Sequence, residues 1–400
     1  MDGKETQVVR RGSRAALLTF AALAASATLA ACGSSDSKST DAGAAPAAAT
    51  ADAAGGVAEA KTLVAQGRKP ATWKDPGPAI KDASSLKGKT FFYIANGIDL
   101  ASIQSMIAGM KEASAALGMK LVVADGRGQP AEIAKQMSQA VGQKADIIAT
   151  TSFPADSIRG ALASAKEAGI PVLLGFAGDP GLPSAQEKQL GVSGLMSFCY
   201  SCAGKTLADL TIADSNGKAN AVIFDVPESP NTVKEREAAE AEFKRLCPDC
   251  KVTVKHAPLA RWSTDLQSLT SSTLRSDPTI THVIPVWDAM QTFIKPAIDA
   301  LGRQDKVKIM SYNAELPAMK LLKAKDVVSA EVGSPLRWAG WALLDQAARL
   351  LTGMEPAADQ NIPNRVFDAE NIAEVDLSKD DSHWYGVDSG AEYRRLWGIG

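Results

Sequence analysis

From Thr90 onward, short runs of β-branched and aromatic residues alternate with longer stretches in which apolar side chains recur every three or four positions. A strand covered on both faces reads as a continuous apolar run, and a helix lying against it reads as a stripe. Thr90-Phe91-Phe92-Tyr93-Ile94-Ala95 has the first form, and Ile103, Met106, Ile107, Met110 and Leu117 have the second. Further strands are predicted at 121–123, 147–149 and 171–174, with helices at about 133–141 and 158–168 between them. Pro130 stands where the first turn of a helix tolerates it. Strands and helices in strict alternation call for a parallel sheet with helices on both faces, and this stretch therefore predicts one doubly wound lobe.

A second series follows a polar, glycine-containing stretch at 191–194, which reads as the crossing between lobes. Strands are predicted at 221–226, 252–255, 282–286, 308–312 and 327–332. Met290, Phe293, Ile294, Ala297, Ile298 and Leu301 form the clearest helical stripe, and another helix is predicted over 336–351. After Pro356 the pattern is irregular, although it carries Trp384, Tyr385 and Trp397. The fold expected is α/β, with two doubly wound parallel-sheet lobes.

The first sixty residues belong to neither series. Arg10, Arg11 and Arg14 precede an apolar run over 15–31, which is short for a membrane span and has the layout of an export signal. It ends in Leu29-Ala30-Ala31-Cys32-Gly33, which resembles the bacterial lipobox. That resemblance implies a signal peptide over 1–31 and a diacylated Cys32 that anchors the chain to the outer face of the cytoplasmic membrane. Arg10-Arg11 hints at twin-arginine export, but the surrounding motif is poor and ordinary secretion is the expectation. Residues 32–60, rich in Ala, Gly, Ser and Asp, hold too few large apolar groups to bury and read as a flexible tether.

Composition removes several function classes. The 400 residues carry 43 basic and 45 acidic side chains, a net charge of −2, so no electrostatic excess points to nucleic acid. His256, His282 and His383 are the only histidines, and none stands at metal-ligand spacing; neither a metal nor a cofactor is expected. Gly126-Arg127-Gly128 imitates a dinucleotide fingerprint but follows the second strand instead of the first. Gly204-Lys205-Thr206 ends like a phosphate loop, yet Cys199 stands where the leading glycine would be.

The order of strands and helices over 90–175, repeated over 221–332, is accompanied by short local signatures. These are Ala168-Gly169-Ile170-Pro171-Val172, Asp277-Pro278 before the strand ending at Trp287-Asp288, Tyr312-Asn313, Phe367-Asp368-Ala369-Glu370-Asn371 and the closing Arg395-Leu396-Trp397-Gly398. Together they resemble the type I periplasmic binding proteins of the ribose-binding class, from about residue 88 to the end. The resemblance implies two lobes joined by a multi-strand hinge, with a ligand cleft between them. One lobe would comprise 88–194 with about 334–356, the other 195–333 with about 357–400. It also implies a monomer that performs no catalysis and delivers its solute to an ABC permease or serves chemosensing.

In that layout Cys199-Tyr200-Ser201-Cys202 precedes a helix at the lobe crossing, and Cys247-Pro248-Asp249-Cys250 ends a helix of the second lobe. The two CxxC pairs then lie too far apart for a shared four-cysteine zinc site, and two local disulfides are expected. A reactive CxxC at a helix start is the alternative, which would make the chain an exported thiol-disulfide oxidoreductase using Cys199 and Cys202.

In doubly wound lobes the ligand lies at the carboxyl ends of the strands. Those positions hold Asn96, Asp99, Phe153 and Phe176 in the first lobe, and Trp262, Trp287, Asp288, Asn313, Ser334 and Trp338 in or beside the second. Arg236 is added because it matches a position where the class carries a ligand-binding arginine. The chain departs from that class by having Phe176-Ala177 where Asp-Arg is usual, Trp287-Asp288 for Asn-Asp, and Asn313 for Asp. An aromatic, less charged cleft suits a sugar or sugar-like ring: a glycoside, a nucleoside or another aromatic solute. A cytoplasmic transcription regulator of the same architecture would need an N-terminal helix-turn-helix, and residues 1–60 read instead as signal and tether.

Overall fold

The computed structural model describes residues 53–399; the expected signal segment, Cys32 and the tether up to residue 52 lie outside the described residues. Strands β1 (Thr90–Ala95), β2 (Lys120–Asp125), β3 (Ile147–Thr151), β4 (Val172–Gly175) and β5 (Val192–Met196) form a parallel sheet in the order β2-β1-β3-β4-β5. A second sheet contains β6 (Asn220–Asp225), β7 (Lys251–His256), β8 (His282–Pro285), β9 (Lys308–Asn313), β10 (Val328–Gly333) and β11 (Arg365–Asp368). Its order is β11-β10-β9-β8-β6-β7, parallel except for β11 at one edge. Both are sheets of the doubly wound kind. The central β1 and β6 are buried almost throughout, which is why they read as unbroken apolar runs.

The lobes exchange segments. The chain leaves the first sheet after β5, returns from β10 into the helix Leu336–Leu351, which packs on the first-lobe helix Ala101–Leu117, and crosses again to β11. Asn364 links two of these crossings: its Nδ2 donates to the Cys199 carbonyl at 3.2 Å, and its Oδ1 accepts from Ser334 Oγ at 2.8 Å.

Four features depart from the sequence expectation. The stretch 191–194, read as the crossing, instead leads into and forms most of strand β5 (Val192–Met196), because Ser193 and Gly194 dilute an alternation in which Val192, Gly194 and Met196 are the buried positions. The tail beyond Pro356 contains β11 and a helix, Ser389–Trp397, capped by the Asp388 side chain on Ala391 N–H at 2.9 Å. That last helix packs on the helices Leu336–Leu351 and Ala101–Leu117 of the first lobe, not on the second. Finally, the tether expected to run to residue 60 gives way to a helix, Ala53–Gly67. Its small residues approach the neighbouring backbone closely, and Ala60 and Val64 are buried. Few large side chains are needed when the backbones themselves come together.

Cys199 lies next to Cys202, and Cys247 next to Cys250, with the sulfurs of each pair at bonding distance. Cys199 caps the start of the helix Tyr200–Asp214, whereas Cys247 lies against Gly217 beyond the other end of it. At 1.5 Å per residue that helix holds the pairs about 20 Å apart. The Gly204 that imitates a phosphate loop has a packing role, since a Cβ there would come within 2.0 Å of the Glu235 carbonyl on the adjacent helix Pro230–Leu246. Among the described residues no cluster of His, Cys, Asp and Glu could hold a metal ion, and no helix is long and apolar enough to cross a membrane.

Candidate ligand cleft

The carboxyl ends of the two sheets face each other, so the loops that leave β1, β3 and β4 meet those that leave β6, β8 and β9. An inner cavity between them is lined by Asn96, Ser152 and Phe176 of the first lobe and by Asn231, Thr232, Trp287 and Asn313 of the second. Its volume is about 30 Å³, room for roughly one water molecule. It opens beside a larger space of about 670 Å³, lined by Asn96, Asp99, Ser152, Phe153, Glu228, Ser229 and Trp287. The larger space is of the size that small-molecule sites occupy.

Backbone conformation marks the same residues. Ser152, Phe176 and Asn313 have φ of 59°, 58° and 117°, a region in which a β-carbon is disfavoured. Each ends or follows a strand, and each lines the inner cavity. Non-glycine residues held this way at about 1 kcal/mol or more apiece concentrate where side chains must be aimed.

Aromatic rings link the lobes behind the cavity. Phe176 meets Phe198 at 5.1 Å, Phe198 meets Tyr200 edge-on at 6.1 Å, and Tyr200 meets Tyr312 edge-on at 5.7 Å. Trp287 is fixed from two sides: Trp262 stands edge-on to it at 5.6 Å, and its indole N–H donates to Glu315 Oε1 at 3.3 Å. Trp262 is itself anchored by donating to the Ala257 carbonyl at 2.8 Å.

Beneath the second-lobe rim lies a network of acids. Asp288 accepts from the Glu315 backbone N–H, Glu331 accepts from Gln291 Nε2, and the Ser311 hydroxyl lies within hydrogen-bond distance of both carboxyl groups. Burial, aided by the neighbouring Glu331, pushes the Asp288 carboxyl far above its usual range. Burial likewise raises Glu331 and Glu315 to about 7, the latter helped by the charge of Asp288. Glu235, fully buried with neither carboxyl oxygen bonded, is raised well above the usual carboxylate value by desolvation. Burial thus disfavours the charged form of each of these groups at the floor of the cleft. No charged side chain lines the inner cavity. Asn96 Oδ1 is buried there without a hydrogen-bond partner, an acceptor that a ligand hydroxyl or N–H would satisfy.

The structure gathers Asn96, Asp99, Phe153, Phe176, Trp287 and Asn313 around the cleft. Trp262 and Asp288 face a side cavity of about 550 Å³ that also touches Asp99. Three expected cleft residues lie elsewhere. Arg236 is held by Asp225 at 2.8 Å and by Glu240, and it lines neither the inner cavity nor the larger space. Ser334 is buried at the crossing against Tyr312 and Asn364. Trp338 stacks on Trp73 at 5.2 Å and donates to Tyr393 at 3.3 Å, inside a cluster built by the terminal segments. Phe198, Tyr200, Asn231 and Thr232 were not anticipated. The first two follow the true crossing, and the last two lie in the first turn of the helix after β6, a position that faces the cleft in such sheets.

A family model described as periplasmic binding protein domain matches residues 91–355. No curated protein sequence matches the chain significantly. Among solved structures, an ABC sugar transporter subunit from Rhodobacter sphaeroides is similar at 18% identity and a TM-score of 0.62, over 72% of this chain and 100% of that one. An ABC transporter solute-binding protein from Actinobacillus succinogenes with bound D-allose gives 17% and 0.64, over 72% and 100%. Another, from Bacillus halodurans with bound myo-inositol, gives 17% and 0.62, over 72% and 97%. With two facing sheets, a cleft at their carboxyl ends and a family match over most of the described chain, the protein belongs to the periplasmic binding protein family.

Proposed function

We propose that this chain is the solute-capturing lipoprotein of an ABC importer. It closes its lobes around an uncharged, hydroxyl-bearing or ring-bearing solute and hands that solute to a membrane permease unchanged. The observation that carries the reading is the inner cavity, lined by amides, hydroxyls and aromatic rings with no charged side chain, where Asn96 offers an unsatisfied carbonyl. The solutes bound by similar structures, D-allose and myo-inositol, are of this uncharged kind. Sugars, glycosides and nucleosides are the classes to test, with the larger space beside Trp287 accommodating what the inner cavity does not.

The mechanism is a shift of population. A solute in contact with Asn96 and Phe176 on one side and Trp287 and Asn313 on the other gains all its contacts only when the lobes are together, so binding favours the closed form. The lipid on Cys32 would keep the receptor at the membrane, and the two CxxC pairs are proposed to be disulfides suited to an oxidising compartment. Mass spectrometry of small molecules that copurify with the chain, followed by a thermal-shift screen of neutral sugars, polyols and nucleosides, tests the assignment. A neutral solute that raises the melting temperature supports it, and stabilisation by charged solutes alone contradicts it.

The competing reading is thiol exchange at Cys199 and Cys202, favoured by the exposure of Cys202 at a helix start. Replacing both with serine separates the two readings. A receptor keeps its solute binding, whereas an oxidoreductase loses every activity.

A further inference from the structure

The segment before β1 belongs to neither sheet and precedes the family match, which begins at residue 91. Its first half lies on the second lobe. The helix Ala53–Gly67 packs on the helices Tyr200–Asp214 and Pro230–Leu246 so closely that a Cβ on Gly56 would fall 2.0 Å from the Leu246 carbonyl. At its end Arg68 pairs with Asp368 at 2.6 Å and Glu370 at 3.0 Å, while its carbonyl accepts from Arg365 Nε at 3.0 Å.

The second half lies on the first lobe. Trp73 is stacked on Trp338 of the helix Leu336–Leu351 and meets Tyr393 edge-on at 4.9 Å. The Pro78 carbonyl accepts from Arg349 at 3.1 Å, and Ile80 N–H donates to the Leu396 carbonyl at 3.1 Å. Between these anchorages run only a few residues, including Lys69-Pro70, and proline fixes its own φ and biases its predecessor to an extended form. Such a link is short: each residue spans about 3.5 Å at most, so the five steps from Arg68 to Trp73 reach no more than about 18 Å.

We infer that residues 53–86 are a strap across the hinge that limits how far the lobes separate and thereby weights the empty receptor toward its closed form. The inference rests on the hinge-closing reading above. When one lobe rotates away from the other, the link between Arg68 and Trp73 can extend only to that reach, so opening beyond it requires one anchorage to release. The strap adds a pinned connection beside the crossing that enters β11, to which Arg68 is tied through Arg365.

Spin labels at Arg159→Cys and Arg275→Cys, exposed on helices of opposite lobes, report the interlobe distance by pulsed dipolar spectroscopy on the full chain without solute. Two variants release opposite ends: Gly56→Leu with Arg68→Ala frees the second-lobe anchorage, and Trp73→Ala loosens the first-lobe one. The expected result is one narrow distribution in the parent and an added longer-distance population in both variants. Hydrogen exchange at residues 57–66 should show the helix exposed in the first variant while the sheets stay protected. An unchanged distribution with the helix detached overturns the inference, as does a helix that stays protected in that variant. Because all of this is read without solute, it is distinguishable from failure of the receptor assignment, which is read from solute-induced change in the parent.

Discussion

The two sides of the cleft are built on different foundations. Between residues 90 and 197 the first lobe buries amides and hydroxyls but no carboxyl group, whereas the second buries Asp225, Glu235, Asp288, Glu315 and Glu331 at or beneath its strand ends. The first lobe grips through geometry, with Ser152 and Phe176 in left-handed conformations and Asn96 unsatisfied. The second holds its ring, Trp287, on a network of acids whose proton affinity is raised by burial. Buried acids thus underlie one face and not the other, although the inner cavity between them is lined by no charged side chain.

The largest expected effect comes from removing the ring that the acid network supports. Trp287→Ala should destabilise the protein by about 3–5 kcal/mol in urea denaturation, and it should abolish solute-dependent stabilisation. Phe176→Ala in the first lobe should cost less, because Trp287 gives up its hydrogen bond to Glu315 as well as its ring contact, whereas Phe176 gives up a ring contact alone. Equal losses would erase the distinction between the two foundations.

The next effect concerns protons. Glu315 and Glu331 bind theirs more tightly in the folded state, at about 7 against the 4.5 usual for a free glutamate. Stability should therefore fall as pH rises from about 4.5 to 7 and level off above. Glu331→Gln should raise stability by about 2 kcal/mol at pH 8 and leave it unchanged at pH 4, measured by denaturation at each pH. Asp209→Asn should behave the same way, because burial and the adjacent Glu242 raise Asp209 to about 7. A flat profile in the parent would remove the second lobe's proton dependence.

Smaller effects belong to the first lobe. Asn96→Ala should leave stability within about 0.5 kcal/mol, because its carbonyl has no partner to lose, while weakening solute binding about tenfold by calorimetry. Ser152→Gly should stabilise by roughly 0.5–1 kcal/mol by relieving its positive φ.

Much of this was legible in the residues. Apolar runs such as Phe91-Phe92-Tyr93-Ile94 announce strands covered on both faces, and strand ends announce the cleft, so Asn96, Phe176, Trp287 and Asn313 are found without coordinates. What escaped depends on partners distant in sequence. Trp338 looks like a cleft residue until Trp73 and Tyr393, from opposite ends of the chain, stack around it. Arg236 looks free until Asp225 and Glu240 hold it. The helix Ala53–Gly67 hides in a composition typical of a tether, because close backbone approach leaves no apolar signature in the sequence.

The most direct test of the central claim is small-angle X-ray scattering of the full chain with and without the neutral solute that most raises its melting temperature. The account predicts a smaller radius of gyration with solute, the decrease being larger in the strap-released Gly56→Leu/Arg68→Ala variant than in the parent, and no change for Trp287→Ala at the same concentration. A tightly bound solute that leaves the scattering of the parent unchanged, in the parent and in the strap-released variants alike, would contradict closure of two lobes around an uncharged ligand.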